Sequence, residues 1–376
     1  MKVATSVLVF CVAALLSLGL VMLYSSSMGR NGAPYPLMQT VWGVVGIALA
    51  AGLAGLDYAH LKKISVPLYL VAVVLLAAVL VPSIGVKAGG ARRWFELGGQ
   101  SFQPSELAKL AVIILLAHYV ERHPRRVPTF KGGLVIPGVL VGIVLALIFL
   151  EPDWGTTLVL AAVSGTMLLV AGVRWRYLVP IGLAAGAGLT LALLQNPVRL
   201  QRLLSWLNLE QTKDGTGYQA WQAMLALGSG GLTGAGLGDG VQKYGYVPAH
   251  QTDFIFAIMG EELGLICTLG VLVAFVSIVL CGVYVAWRAR DPFGMLLATG
   301  LTFLIGLQAF VNIGVVTSAL PNKGLPLPFI SRGGSNLLFM LLCVGLLLSV
   351  ARHSARPRAA DLPLADLDGE PAPQPS

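Results

Sequence analysis

Long apolar runs separated by short polar stretches organise the chain from its first residues to about position 351. A bilayer crossing needs about 20 mostly apolar residues. Ten runs meet that pattern, at 3–24, 37–56, 65–83, 105–120, 133–150, 156–172, 177–195, 254–286, 294–318 and 334–351. The fourth and sixth are the shortest. The first is read as a span rather than a cleaved leader: its apolar core exceeds a signal-peptide h-region, and no small-x-small site follows. The pattern therefore predicts an all-α integral membrane protein of about ten transmembrane helices. A polytopic domain covers 1–352, and a large loop at 196–253 joins helices seven and eight. That loop is too long for a bare connector. The tail, 353–376, starts Arg-rich, turns Pro- and Asp-rich, and is expected to be disordered and cytoplasmic.

Composition sharpens this picture. Apolar residues make up 56% of the 376, charged residues only 11%, and mean hydropathy is +0.80. A soluble domain carries roughly 25% charged residues, so a soluble enzyme, a DNA-binding protein and a disordered chain all fit poorly. The net charge of +8 points to topology and not to nucleic acid, because the cations sit in short clusters between apolar runs. With the N-terminus inside, 14 Lys and Arg fall on inner segments and 6 on short outer loops. Both termini are therefore expected in the cytoplasm and the 196–253 loop outside. Lys87, Arg92 and Arg93 crowd one outer loop against this rule, which suggests an anionic partner there. The four cysteines lie in apolar stretches at no motif spacing, so neither disulfides nor a zinc site is indicated.

The glycines at 228–240 do not make a phosphate loop, since no Gly-Lys-Ser/Thr follows. Close backbone packing, or a segment dipping into the membrane interface, suits them better. No H-E-x-x-H, C-x-x-C or G-x-S-x-G is present.

Charges at membrane depth are costly and are functional candidates by default. Glu106 and Lys109 open the fourth span at i,i+3 spacing. A capping box built on Gln103 and Glu106 after a first-turn Pro104 and a direct functional role are both open for them. Asp153, in Glu151-Pro152-Asp153-Trp154, is either a helix cap or a site acid. Asp253 opens the eighth span, where it is either a helix cap or a site acid, with Glu261 and Glu262 about 12 Å further along the helix. At least one of those two deep acids is expected to face protein or a water-filled cavity. Lys323 and Arg332 bracket a Pro- and Gly-rich run, 321–335, overbuilt for a connector. An outer mouth would thus gather Arg92, Arg93, Lys109, Lys323 and Arg332, with Arg202 and Lys243 from the long loop, around Glu106, Asp153 and Asp253. Arg and Lys suit phosphate oxygens, and a carboxylate among them suits general-base work. The residues alone imply a polytopic protein handling an anionic, phosphate-bearing amphiphile at its outer face.

At these residues the chain resembles the SEDS family, the RodA, FtsW and SpoVE proteins of bacterial cell-wall synthesis. The resemblance lies in Gly90-Ala91-Arg92-Arg93-Trp94, Gln103-Pro104-Ser105-Glu106, Glu151-Pro152-Asp153-Trp154-Gly155-Thr156, Gly217-Tyr218-Gln219, Thr252-Asp253-Phe254, Glu261-Glu262-Leu263-Gly264 and Leu325-Pro326-Leu327-Pro328-Phe329-Ile330-Ser331. Pro321-Asn322-Lys323-Gly324 resembles the septal FtsW form more than the RodA form. The resemblance implies a peptidoglycan glycosyltransferase that polymerises lipid II at the outer face of the bacterial inner membrane. It further implies a class B penicillin-binding protein as partner, with other divisome membrane proteins at the septum. Asp253 matches the family's essential acid, and Glu106 and Lys109 its Glu–Lys pair. Trp94, Gln219, Thr252 and Ser331 join the cations and Asp153 as expected substrate contacts. No cofactor is expected beyond a divalent cation, magnesium or manganese, that could assist at the pyrophosphate. The chain departs from the family pattern at Pro248-Ala249-His250-Gln251, where an acid is missing, at Arg332, where tyrosine is usual, and at Met38, Asn208-Leu209 and Asn336. A lipid II transporter and a scaffold for the partner synthase are the rival functions.

Overall fold

The computed structural model describes residues 1–27, 35–88, 91–97, 100–248 and 250–354. The expected disordered tail and the Arg30, Gly90 and Ala249 positions lie outside them, apart from the first two tail residues, His353 and Ser354, which close the last helix. Each of the ten apolar runs is a helix: α1 (Lys2–Ser27), α2 (Tyr35–Gly55), α3 (Leu61–Leu80), α4 (Pro104–Arg122), α5 (Ile136–Leu150), α6 (Trp154–Val170) and α7 (Trp175–Leu194), then α10 (Ile255–Trp287), α11 (Pro292–Val316) and α12 (Gly334–Ser354). Among the described residues, eight helices are long and apolar enough to cross a membrane. The exceptions are the two shortest predicted runs. Helix α6 has 17 residues, and α4 carries Glu106, Lys109, Glu121 and Arg122.

Two parts of the fold escaped the apolar pattern. Residues between α3 and α4 form a small antiparallel sheet, β1 (Val86–Ala88), β2 (Ala91–Leu97) and β3 (Gln100–Phe102), in the order β1-β2-β3. It pairs Ala88 with Ala91 and Phe95 with Phe102. The long loop holds two further helices, α8 (Pro197–Leu207) and α9 (Tyr218–Ser229).

Packing centres on α4, α11 and α12, whose side chains are buried along most of their lengths. Helix α12 lies along α2, α10 along α11 and α1, and α3 along α4. Helix α7 stands at the opposite extreme, with no buried residue.

The glycine-rich segment does pack backbone to backbone. The helical ladder of α10 breaks at Gly264, whose φ is 72°. The carbonyls of Glu261 and Glu262 accept from Ala235 N at 2.9 Å and Gly236 N at 3.0 Å, and Leu265 N donates to Gly231 O at 3.0 Å. The loop thereby satisfies backbone groups that a lipid-facing kink would leave unpaired. A Cβ on Gly230 would sit 1.8 Å from Gly260 O, so only glycine fits. The deep acids find partners in the same segment. Glu261 accepts from Val241 N at 2.8 Å. Glu262 accepts from Lys243 Nζ at 2.8 Å and Ser25 Oγ at 2.6 Å.

Candidate active site

Three helix starts carry the acids singled out in the sequence, and each holds its acid differently. At α4, Pro104 occupies the first turn, where a missing N–H removes no helical bond. Gln103 makes no side-chain cap, so the capping-box alternative fails. Instead Glu106 pairs with Lys109 at 2.9 Å, both buried. Lys109 also donates to Gln308 Oε1 at 3.0 Å, and Asn336 Nδ2 donates to Glu106 Oε2 at 3.3 Å.

At α6, Asp153 is the N-cap. It accepts from Thr156 N at 3.1 Å and Thr156 Oγ1 at 3.0 Å. Gln103 Nε2 donates to Oδ2 at 3.3 Å, and Arg93 Nη1 lies 3.6 Å from the same atom. The cap alternative therefore holds for Asp153, with Arg93 added.

At α10, Asp253 does not cap. The N-cap position belongs to Phe254 and has no side-chain bond. The backbone around Asp253 is nevertheless fixed. Asn312 Nδ2 donates to Asp253 O at 2.8 Å and to Leu325 O at 2.6 Å. Ser331 Oγ donates to Thr252 O at 2.5 Å and accepts from Leu327 N at 2.8 Å. A Cβ at Gly324 would come 2.7 Å from Asp253 Oδ2, so glycine leaves room for the carboxylate. Burial pushes the Asp253 pKa up from 3.8 to about 6. Arg93 works against that rise, the Asp153 charge adds to it, and a bond from Thr252 lowers it.

These acids share one cleft of about 1210 Å³. Arg93, Trp94, Glu106, Asp153, Arg202, Gln219, Thr252, Asp253, Lys323 and Arg332 all line it. So do residues at the starts of α2, α4, α6 and α12 and just before α10. Helix N-termini present unpaired N–H groups and positive dipole ends, which favour anions. Lys323 Nζ sits 5.4 Å over the Trp154 ring, and the Arg332 guanidinium 3.5 Å over the Tyr35 ring. Gln219 accepts from Asn322 Nδ2 at 3.1 Å and donates to Pro248 O at 2.8 Å, which ties the long loop to the 321–335 run.

Four expected residues do not line the cleft. Lys109 lies beneath it, behind Glu106. Ser331 works as a backbone latch. Arg92 donates to Leu80 O at 3.4 Å, at the end of α3. Lys243 is placed furthest from the expected role: its ammonium is sealed with Glu262, both side chains at 0% exposure. Conversely, sequence reasoning missed Gln308 and Asn312. Their only signal was two amides four residues apart in an apolar helix. Gln39, noted only for its neighbour Met38, donates to Ser331 O at 3.1 Å and accepts from Gly333 N at 3.3 Å.

Among the described residues no three His, Cys, Asp or Glu side chains gather as a metal cage. Both Asp153 oxygens are already engaged. The described residues do not fit a protein-held divalent cation.

Fold and cleft together define a multi-pass membrane protein with a cation-lined, acid-bearing cleft at one end of its helices. A family model described as cell cycle protein, covering FtsW, RodA and SpoVE, matches residues 6–356. The chain belongs to this family. It is 40% identical over 351 residues to the "Probable peptidoglycan glycosyltransferase FtsW" of Geobacter metallireducens, covering 92% of this chain and 94% of that one. Among solved structures, it is similar to a chain of a peptidoglycan synthase complex that coordinates polymerization and crosslinking. There the TM-score is 0.77 at 30% identity, with 93% of this chain and 98% of that chain covered. The rod shape determining protein RodA of Thermus thermophilus gives a TM-score of 0.70 at 31% identity, over 93% and 97% of the two chains.

Proposed function

We propose that this chain is a peptidoglycan glycosyltransferase that polymerises lipid II at the outer face of the bacterial inner membrane. The observation that carries the reading is Asp253: a carboxylate with no helix to cap, facing a cleft lined by cations and helix N-termini. Asp253 takes the proton of the acceptor GlcNAc 4-hydroxyl. The oxygen attacks the anomeric carbon of the donor MurNAc. The bond from that carbon to the pyrophosphate oxygen breaks, the electron pair leaves with undecaprenyl pyrophosphate, and α becomes β. Arg93, Arg202, Lys323 and Arg332, with the helix N-termini, stabilise the charge that grows on the leaving group. A pKa near 6 keeps Asp253 largely ionised at neutral pH, yet basic enough to accept a proton. Glu106 and Lys109 brace the floor of the cleft and, through Gln308, the Pro326 carbonyl.

Three features support a septal role alongside a class B penicillin-binding protein: the FtsW-like Pro321–Gly324 stretch, the names of the relatives, and the similar synthase complex. Both described chain ends lie away from the cleft, since Arg352 bonds Gly55 O at 3.2 Å while the far end of α1 reaches Glu262 through Ser25. That supports cytoplasmic termini beneath an outer cleft.

The test is lipid II polymerisation in liposomes, for wild type and Asp253→Asn, with and without the partner. Polymer from wild type alone or with partner, lost in the variant, is the expected result. Labelled lipid II that changes leaflet without polymer would replace this reading with transport. Cells that divide normally on Asp253→Asn would replace it with a scaffold.

A further inference from the structure

One acid just behind the cleft lining has no task in this mechanism. Glu151 lies in the turn between α5 and α6 and is 0% exposed. Neither of its carboxyl oxygens has a hydrogen-bond partner among the described residues. An ionised carboxylate in that setting is several kcal/mol unfavourable, and such a group takes up a proton instead. Two charged groups bear on it. Asp153 is next but one on the same turn, and Arg93 comes from β2.

Arg93 links this acid to the cleft. Its guanidinium lines the cleft and touches Asp153 loosely, at 3.6 Å. Its Nε is buried and finds no acceptor. A second carboxylate charge in the wall would attract this cation inward, away from an anion in the cleft.

We propose that Glu151 is a positioning residue that works as the neutral acid: by withholding a second negative charge from the wall, it leaves the Arg93 guanidinium to the substrate's pyrophosphate. This role rests on the pyrophosphate-binding function of the cleft. Burial, then the charge of Asp153, push the Glu151 pKa to about 8 against the pull of Arg93. Glu151 is therefore mostly neutral at pH 7 and ionised by pH 9.

The experiment measures binding of undecaprenyl pyrophosphate to the full-length protein in nanodiscs between pH 6.5 and 9.5. If only the neutral form is competent, wild-type Kd rises about tenfold between pH 7 and 9, as the competent fraction falls through a pKa of about 8. Glu151→Gln, a permanent neutral mimic, should bind at pH 7 and lose that alkaline weakening. Arg93→Gln should bind more weakly throughout and also lose the pH step, because the step acts through Arg93. That second variant keeps the test decisive if Glu151→Gln fails to fold. A pH step that persists in either folded variant overturns the role. So does weak binding by folded Glu151→Gln at pH 7. Wild-type protein that binds no probe at any pH overturns the pyrophosphate cleft itself, and this role with it. A purely structural Glu151 would shift the unfolding temperature without removing the pH step.

Discussion

Asp153 and Asp253 occupy similar places in the sequence, each just ahead of a membrane helix, and both face the same cleft. Their oxygens have different fates. Asp153 caps α6, receives Gln103 and sits beside Arg93. Asp253 caps nothing, and the chain supports it through its backbone, by Asn312 and the Thr252–Ser331 latch. An acid whose hydrogen bonds are complete holds structure. An acid that is held rigid but left incomplete can accept a proton from substrate. Position before a helix cannot separate the two, because the difference lies in what tertiary neighbours supply.

The largest expected effect tests that contrast directly. Asp253→Asn should lower polymerisation by about 10²–10⁴-fold, the range for a positioned base, while Asp153→Asn loses much less. Equal losses would erase the comparison. Stability should move the other way. The folded-state pKa of Asp253 lies above its ordinary 3.8, near 6. The stability linked to its proton is therefore full below about 3.8 and is lost as pH rises through about 6. At pH 7 the charge is a burden that asparagine removes, so Asp253→Asn should unfold at a higher temperature than wild type.

The next effect separates cations that serve the fold from those in the cleft. Lys243→Met strands Glu262 at 0% exposure and should destabilise by about 3–5 kcal/mol, read by unfolding in detergent. Lys323→Met should cost less stability than Lys243→Met and weaken substrate binding. Smaller again is Asp153→Ala, which should lower stability by about 0.5–2 kcal/mol through loss of the α6 cap. Asp153→Asn, a competent cap, should restore most of it.

The smallest effect is a pH shift. Activity of wild type should fall on acidification through about pH 6, as Asp253 takes up its proton. Removing the Asp153 charge removes one cause that raises that pKa. The acid limb of the pH–rate profile should then move to lower pH in Asp153→Asn. A shift to higher pH would mean that Asp153 acts on Asp253 chiefly by placing Arg93.

The apolar pattern alone determined the ten helices, because a helix in lipid must satisfy its backbone internally and needs length and apolarity to do so. The same pattern missed β1–β3, α8 and α9, which lie outside the apolar runs and owe their form to contacts at the end of the bundle. Acid and cation positions along the chain were enough to pick out Arg93, Glu106, Asp153, Asp253, Lys323 and Arg332 as one mouth, since charge near membrane depth must find a partner, water or a ligand. Tertiary structure alone decided which charges face the cleft. Lys243 and Lys323 look alike in sequence, but one is neutralised by Glu262 and the other reaches the cleft. Gln308 and Asn312 hold the cleft from within an apolar helix, and Glu151 is isolated behind it. A side chain's charge is written in the sequence, while its counter-charge, hydration and hydrogen-bond count are set by whichever groups the fold brings against it, from 19 residues away for Lys243 and Glu262 to 237 for Ser25 and Glu262.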